Sequence, residues 1–315
     1  MIVLSGFSDE ASSDLKRQIE ALRRNHIGYT ELRSIGGKNV SEFSESECKS
    51  YAKELSDGGI KVWAIGSPLG KTEISVNFVG YLETVKRVCG MANILGTDKV
   101  RVFSFFNAYE EKERVFEYLN EMAETAERFG VTLYHENEKE IYGDRSERVL
   151  EIMENVKKLK YVYDPANYLQ VGEEADKTLS LLHKKTDYFH IKDLSATGEL
   201  VPAGCGEGKI DKLVEMLTGD KVRQVKYGSG RDFVENGHQT DAGDLDMYGI
   251  VKALVKNGFE GYVRPDHGRN IWGEDGKPGY GLYDRALGAA YLTGLFEGIE
   301  KSEKSREKES EEKRS

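Results

Sequence analysis

The chain has 315 residues and a formal net charge of -10. That acidic balance argues against nucleic acid as a partner, because a phosphate-backbone binder needs a concentrated basic face to displace counterions. No apolar run approaches the ~20 residues that span a bilayer, so no membrane partner is expected. Cys48, Cys89 and Cys205 form an odd set without C-x-x-C spacing, which predicts inert packing thiols in a reducing cytoplasm.

The amino terminus, MIVLSGFSDEAS, reads as a first strand and loop rather than a signal peptide. Short runs rich in Val, Ile, Tyr and Phe then recur, with strands expected to start near Ile2, Tyr29, Lys61, Lys99, Val131, Tyr161, Tyr188 and Tyr262. Segments with helical spacing separate them: DLKRQIEALRRN, SECKSYAKELSDG, NFVGYLETVKRVCGMANILG, EKERVFEYLNEMAETAERFG, SERVLEIMENVKKL and ADKTLSLLHKK. Gly58, Gly96 and Gly130 are expected to supply left-handed helix stops. This alternation predicts an α/β fold with a parallel sheet, and eight strands predict a closed (β/α)8 TIM barrel over residues 1–299.

The step from His190 to Asp266 is about two βα units long, so something extra is expected there. It holds the Gly-rich PAGCGEGKI, a short helix (DKLVEML), a strand candidate (KVRQVKYG), a polar loop and a further helix (MYGIVKALVKNG). Residues 205–248 read as an inserted or duplicated unit, and KVRQVKYG competes with the Tyr188 run for the seventh strand position. From about Glu300, KSEKSREKESEEKRS lacks any hydrophobic residue and reads as a disordered, solvated tail over 300–315.

All strands of a parallel barrel open their carboxyl ends on one face, so residues remote in sequence converge there. Glu136 in VTLYHENE, Asp164 in YVYDPANY and His190 in YFHIKD each end a strand-like run, and Asp266 in GYVRPDHG stands at a fourth. Three carboxylates and one imidazole suit Mn2+ or Mg2+, with Co2+ or Zn2+ as alternatives. His135 alternates away from Glu136 along its strand and reads as packing. His26 and His183 read as solvated helix positions. For His238 and Glu235, in a polar loop, a surface role and a substrate contact both stand. Arg33 and Lys192 are candidates for holding a hydroxyl or phosphate, beside a reading as solvated rim residues. PAGCGEG suggests a substrate-covering loop, with an anion-cradling role as the alternative. Phe7 and Trp63 read as core or pocket wall.

Over about residues 1 to 210 the chain resembles the sugar phosphate isomerase/epimerase group of the xylose isomerase-like barrels. YTELR with Glu31 and Arg33, AIGSPLGK, LGTDKVRVFSFF, LYHENE, VYDPANYLQVG and FHIKDLSATGELVPAGCGEG carry the resemblance. It implies a divalent-metal-dependent isomerase or epimerase that moves a proton through an enediolate. Glu136 and Asp266 would then be both ligands and the acid/base pair, and Glu31, Arg33 and Lys192 would face substrate. Asp266 stands where that group has a glutamate, one methylene longer. Over about 221 to 299 the resemblance is instead to the carboxyl-terminal part of mannonate dehydratase, through FVENGHQTDAGDLDMYGIVKAL and the RPDHG and PGY motifs.

The second resemblance implies the alternative reading, a lyase that dehydrates a sugar acid. His267 and Arg264 would polarise a carboxylate or protonate a departing hydroxyl, with Tyr280 and His238 as substrate contacts. The chain departs from that pattern where KVRQVKYG offers Lys226 or Tyr227 in place of a ligand histidine, and where Cys205 falls in a loop. A nuclease of the same superfamily is disfavoured by the acidic charge and only six histidines. A non-catalytic scaffold is the remaining reading. The expected partner is a small-molecule sugar or sugar acid, and a homo-oligomer is compatible with it.

Overall fold

The computed structural model describes residues 5–24, 27–201, 206–210 and 212. Seven parallel strands form one sheet in sequence order: β1 (Ser5–Gly6), β2 (Tyr29–Leu32), β3 (Lys61–Ile65), β4 (Lys99–Val102), β5 (Thr132–Glu136), β6 (Lys160–Tyr163) and β7 (Tyr188–Phe189). Helices α1 (Leu15–Arg24), α2 (Glu45–Asp57), α3 (Phe78–Ile94), α4 (Lys112–Glu127), α5 (Ser146–Asn155), α6 (Pro165–Gln170) and α7 (Ala175–Leu182) occupy the crossovers. None of the helices among the described residues is long and apolar enough to cross a membrane.

The sheet is curled. Laid flat, β3 and β7 would lie roughly 19 Å apart at ~4.8 Å per strand. Yet the rings of Trp63 on β3 and Tyr188 on β7 meet edge to face at 6.2 Å, and Tyr188 also touches Tyr134 on β5 at 5.4 Å. Tyr29 of β2 closes on Trp63 from the other side at 6.1 Å. Aromatic side chains therefore fill the barrel interior below its upper rim, as packed layers do in this architecture. Outside the sheet, Val85, Val88, Cys89 and Ala92 of α3 and Val115, Leu119, Met122 and Ala126 of α4 are buried against Val100, Val102 and Leu133.

Local chemistry sets the helix ends. Ser44 and Glu47 form a reciprocal capping box at the start of α2. Gly96 (φ +78°) and Gly130 (φ +69°) are left-handed stops as expected. Gly58 is not: it caps α2 in the right-handed region (φ -77°), and Gly59 (φ +74°) makes the reversal. Gly58 is required for space, since a Cβ there would come within 2.5 Å of Ile19 Cγ2 on α1. The short helix α6 went unread in the sequence, although Asp164 followed by Pro165 is an N-cap and N1 signature and Asp164 accepts a hydrogen bond from Asn167 N–H. Two small hairpins, Ser34–Ile35 with Lys38–Asn39 and Asp193–Leu194 with Leu200–Val201, were also unread.

The seventh position belongs to the Tyr188 run: Tyr188 and Phe189 pair in parallel with Val162 and Tyr163, and His190 N–H continues the ladder to Tyr163 C=O. The competing KVRQVKYG, the expected strand near Tyr262, the 205–248 unit as a whole and the 300–315 tail lie outside the described residues.

Gly70 fixes the loop that follows β3. Its φ is +87°, and a Cβ would stand 2.0 Å from the carbonyl oxygen of Phe103. Because the obstacle is backbone, Gly70→Ala should cost well over the ~1–2 kcal/mol of a left-handed alanine alone. Gly59→Ala, with open space around it, should cost only about that much. Urea midpoints of the two variants check the difference, and equal midpoints would refute the close-approach argument.

Candidate metal centre

Parallel strands deliver four side chains to the upper face of the barrel. Glu136 is the last residue of β5, and Asp164 and His190 immediately follow β6 and β7. One ligand atom from each of these three lies within 4.8 Å of the others, the geometry of a metal-binding group. The fourth, Glu31 on β2, faces His190 across the barrel: His190 Nε2 is 2.9 Å from Glu31 Oε2, while Nδ1 is 2.8 Å from Glu136 Oε1.

Bases balance these acids. Arg101 on β4 places Nη1 3.1 Å from Glu136 Oε2 and Nε 3.9 Å from Glu31 Oε1, and its guanidinium lies over the rings of Phe7 and Phe103. Lys192 Nζ sits 3.1 Å from Asp164 Oδ2 and donates to Asn167 Oδ1 at 2.6 Å. Burial alone disfavours the charge on Glu136, but His190 and Arg101 beside it outweigh that and hold its carboxyl well below the usual range. Asp164 goes the other way: burial raises its pKa, Lys192 opposes, and the nearby Glu136 adds to the rise. Burial works against the His190 cation too, yet Glu136 and Glu31 on its two edges push its pKa up to about 10.

Buried atoms left without hydrogen-bond partners among the described residues mark the same place: Glu31 Oε1, Glu136 Oε2, Arg101 Nε and the Tyr188 hydroxyl. Glu136 Oε2 keeps its ion pair with Arg101 but lacks a well-aligned hydrogen bond, and carboxylate oxygens with spare acceptor capacity beside an imidazole fit a hard or borderline divalent metal.

The second layer is amide. Asn137 Nδ2 donates to the carbonyl of Asp164 (2.9 Å), and its Oδ1 accepts from Asp164 N–H (2.9 Å) and the Tyr161 hydroxyl (2.9 Å). Asn167 Nδ2 donates to Asn137 C=O at 2.8 Å. Two asparagines thus lock the ends of β5 and β6 together.

His135 turns away as alternation requires: it is fully buried, stacks on Tyr161, and its Nε2 lies 3.0 Å from Ser104 Oγ. Burial pushes its pKa down to about 3, against a smaller opposing effect of Glu136, so it is neutral packing. Arg33 is bonded to Asp9 (2.7 Å) and Glu10 (3.0 Å) and lies over Phe7. Phe7 itself walls the site, with its ring 5.1 Å from His190. His183 is half-buried, Nδ1 3.0 Å from Leu179 O, and Cys48 and Cys89 are buried free thiols. The described glycines of PAGCGEG cradle an anion of the chain itself: Gly206 and Gly208 N–H donate to Asp193 Oδ2 (3.0 Å) and Oδ1 (2.7 Å). Asp266, His267, Arg264, Tyr280, His238, Glu235, His26 and Cys205 lie outside the described residues.

Sequence reading missed Arg101, Asn137, Asn167 and the Glu31–His190 contact. Arg101 had a signal, since it stands two residues from Lys99 on one strand face, in a run otherwise made of valines.

Solved structures share this architecture. A probable 3-DHS dehydratase, AsbF, from Bacillus anthracis superposes with a TM-score of 0.59 at 16% identity, covering 69% of this chain and 89% of that one. An IOLI protein with a bound zinc atom gives 0.59 at 19% identity, over 69% and 84%. A xylose isomerase-like TIM barrel protein from Mycobacterium smegmatis in complex with magnesium gives 0.54 at 14%, over 69% and 86%. The fold is that of the xylose isomerase-like TIM barrels. The carboxyl-terminal part is similar to a different set. The D-mannonate dehydratase (UxuA) family model matches residues 210–306. The mannonate dehydratase of Lactococcus lactis subsp. cremoris (strain MG1363) is 60% identical over 83 residues, which is 26% of this chain and 23% of that protein. The chain therefore spans less than a quarter of that relative's length.

Asn137→Ala would leave the Asp164 N–H and C=O without partners in a buried place, while the Tyr161 hydroxyl keeps its bond to the Tyr168 hydroxyl. The expected loss is ~2–4 kcal/mol of stability, with weaker metal retention because Asp164 is released. Denaturation and metal analysis of the purified variant check both, and a neutral variant would show that the amide layer is dispensable.

Proposed function

We propose that the chain is a divalent-metal-dependent isomerase or epimerase of a sugar or sugar phosphate. The observation that carries the reading is the convergence of Glu136, Asp164 and His190 within 4.8 Å at the ends of three successive strands. Those three would hold the ion, Mn2+ or Mg2+ by donor hardness, with Co2+ or Zn2+ also accommodated. When bound, it would stabilise negative charge developing on a substrate carbonyl and its neighbouring hydroxyl.

The chain's own residues supply the rest. Glu136, held ionised by its basic neighbours, is fitted to take a proton from the carbon next to the carbonyl. Lys192, half-buried beside Asp164, is placed to hold a substrate hydroxyl or phosphate oxygen. Phe7 and Tyr188, packed on His190, keep water from its ring. Asp266 is proposed as the fourth ligand and the returning acid of the pair.

A second reading, a lyase dehydrating a sugar acid such as mannonate, is favoured by the match over residues 210–306, which contains Arg264, Asp266, His267 and Tyr280. Incubation in deuterium oxide separates the two. Exchange of the substrate's α hydrogen with conserved mass supports the isomerase, whereas a 2-keto-3-deoxy acid from mannonate supports the lyase. Neither product from metal-loaded protein would remove the enzyme reading.

Glu136→Gln should abolish turnover and also lower the thermal stability of the metal-free protein, because the depressed pKa of Glu136 means its charge stabilises the fold through His190 and Arg101. Full activity in that variant would overturn the proton-transfer role. His190→Ala should lower metal occupancy, and stoichiometric metal in it would contradict the ligand set.

Metal uptake should also release a proton at pH 7. The imidazolium of metal-free His190 has its pKa raised to about 10 and must lose a proton to coordinate. In the metal-free protein that cation stabilises the fold fully below its unfolded pKa near ~6.5, and the contribution is lost as pH rises through about 10. Calorimetry in buffers of different ionisation enthalpy counts the released proton, and a count of zero would show that His190 is not a ligand.

A further inference from the structure

Glu31 bonds His190 as closely as Glu136 does, yet it is not part of the metal-binding group. The imidazole ring explains this. Its two nitrogens point in divergent directions, Nδ1 toward Glu136 and Nε2 across the barrel toward Glu31. A cation gathered by Glu136 and Asp164 meets only the Nδ1 edge.

We infer that Glu31 is a positioning residue: its carboxylate accepts the Nε2–H of His190 and so fixes the tautomer that presents the Nδ1 lone pair to the metal. The inference rests on the metal-binding reading of this site. A neutral imidazole has one N–H and one lone pair, and a carboxylate can only accept. A cation on the Nδ1 side repels a proton from that nitrogen, while Glu31 on the far side keeps the other one in place. The strand geometry is built to hold Glu31 there. The β2–β3 register shifts between Thr30 and Glu31, the kind of irregularity that re-aims a side chain at the rim of a barrel.

Space and charge complete the setting. Glu31 is 2% exposed, and a Cβ on Gly66 would stand 3.0 Å from the Phe7 ring and in ordinary contact with Glu31 Oε1 at 3.5 Å, so the space around the carboxylate is closely filled. Arg101, 3.9 Å from Glu31 and 3.1 Å from Glu136, offsets the charge of both carboxylates. Phe7 and Tyr188 meet the His190 ring edge-on at 5.1 and 5.6 Å, which limits its tilt without choosing which nitrogen faces the metal. That choice is left to Glu31.

The test uses Zn2+, which is diamagnetic, with wild-type protein, Glu31→Gln and Glu31→Ala. Chelator competition reads affinity, and proton–nitrogen correlation spectra of ring-labelled histidine read which His190 nitrogen carries hydrogen. We expect Nε2–H with Nδ1 bound to zinc in the wild type. Glu31→Ala should bind 10- to 100-fold more weakly, the usual loss when a ligand histidine's outer partner is removed. Glu31→Gln should recover most of that, because its amide oxygen still accepts the Nε2–H.

Unchanged affinity in Glu31→Ala, or a spectrum with zinc on Nε2, overturns the inference. So does a Glu31→Gln as weak as Glu31→Ala, which would leave only a charge effect. If Glu31→Ala does not fold, the wild-type spectrum decides. Failure of the wild type itself to bind zinc would instead refute the metal reading, an outcome distinct from tight binding that ignores Glu31.

Discussion

The site exists because the parallel sheet curls until β2 and β7, five strands apart in sheet order, face each other across the barrel. Flat, they would stand roughly 24 Å apart, whereas Glu31 and His190 are within hydrogen-bond distance. The curl is sustained below by interlocking rings of Tyr29, Trp63, Tyr134 and Tyr188, and outside by the apolar faces of the helices. Because every strand runs the same way, the curl brings carboxyl ends together, and Glu136 at the end of β5 and Asp164 and His190 just after β6 and β7 need no further device to meet.

Concentrating charge there is costly. Taking a carboxylate from water into a protein interior is repaid only by opposite charge and satisfied hydrogen bonds. The barrel meets this with three acids, Glu31, Glu136 and Asp164, set against Arg101, Lys192 and His190. The balance is incomplete: several of the same atoms have no hydrogen-bond partner among the described residues. Charge of both signs, with carboxylate oxygens short of hydrogen bonds, is compatible with the proposed cation site.

Much of this was legible. Periodicity located the helices, and β-rich runs located the strands, because both patterns follow from which face must be buried. The residues ending the runs, Glu136, Asp164 and His190, followed from the rule that barrel chemistry sits at strand carboxyl ends. What stayed hidden was lateral. Arg101 carried no motif, the Gly-rich loop gave no sign that Asp193 would be the anion its amides bind, and the ion pairs of Arg33 with Asp9 and Glu10 join residues over twenty positions apart. Gly58 and Gly59 could not be distinguished as stops, since their difference depends on how closely α1 approaches α2.

The amino-acid sequence alone determined the repeating βα architecture and the alternation that turns His135 away from Glu136, since these depend on local periodicity and burial. Only the tertiary structure decided that the Tyr188 run takes the seventh position, that His190 stands between Glu31 and Glu136, and that Arg101 balances both carboxylates. Those facts arise from contacts between residues tens of positions apart in the chain, and no local pattern encodes strand pairing or how far a sheet curls.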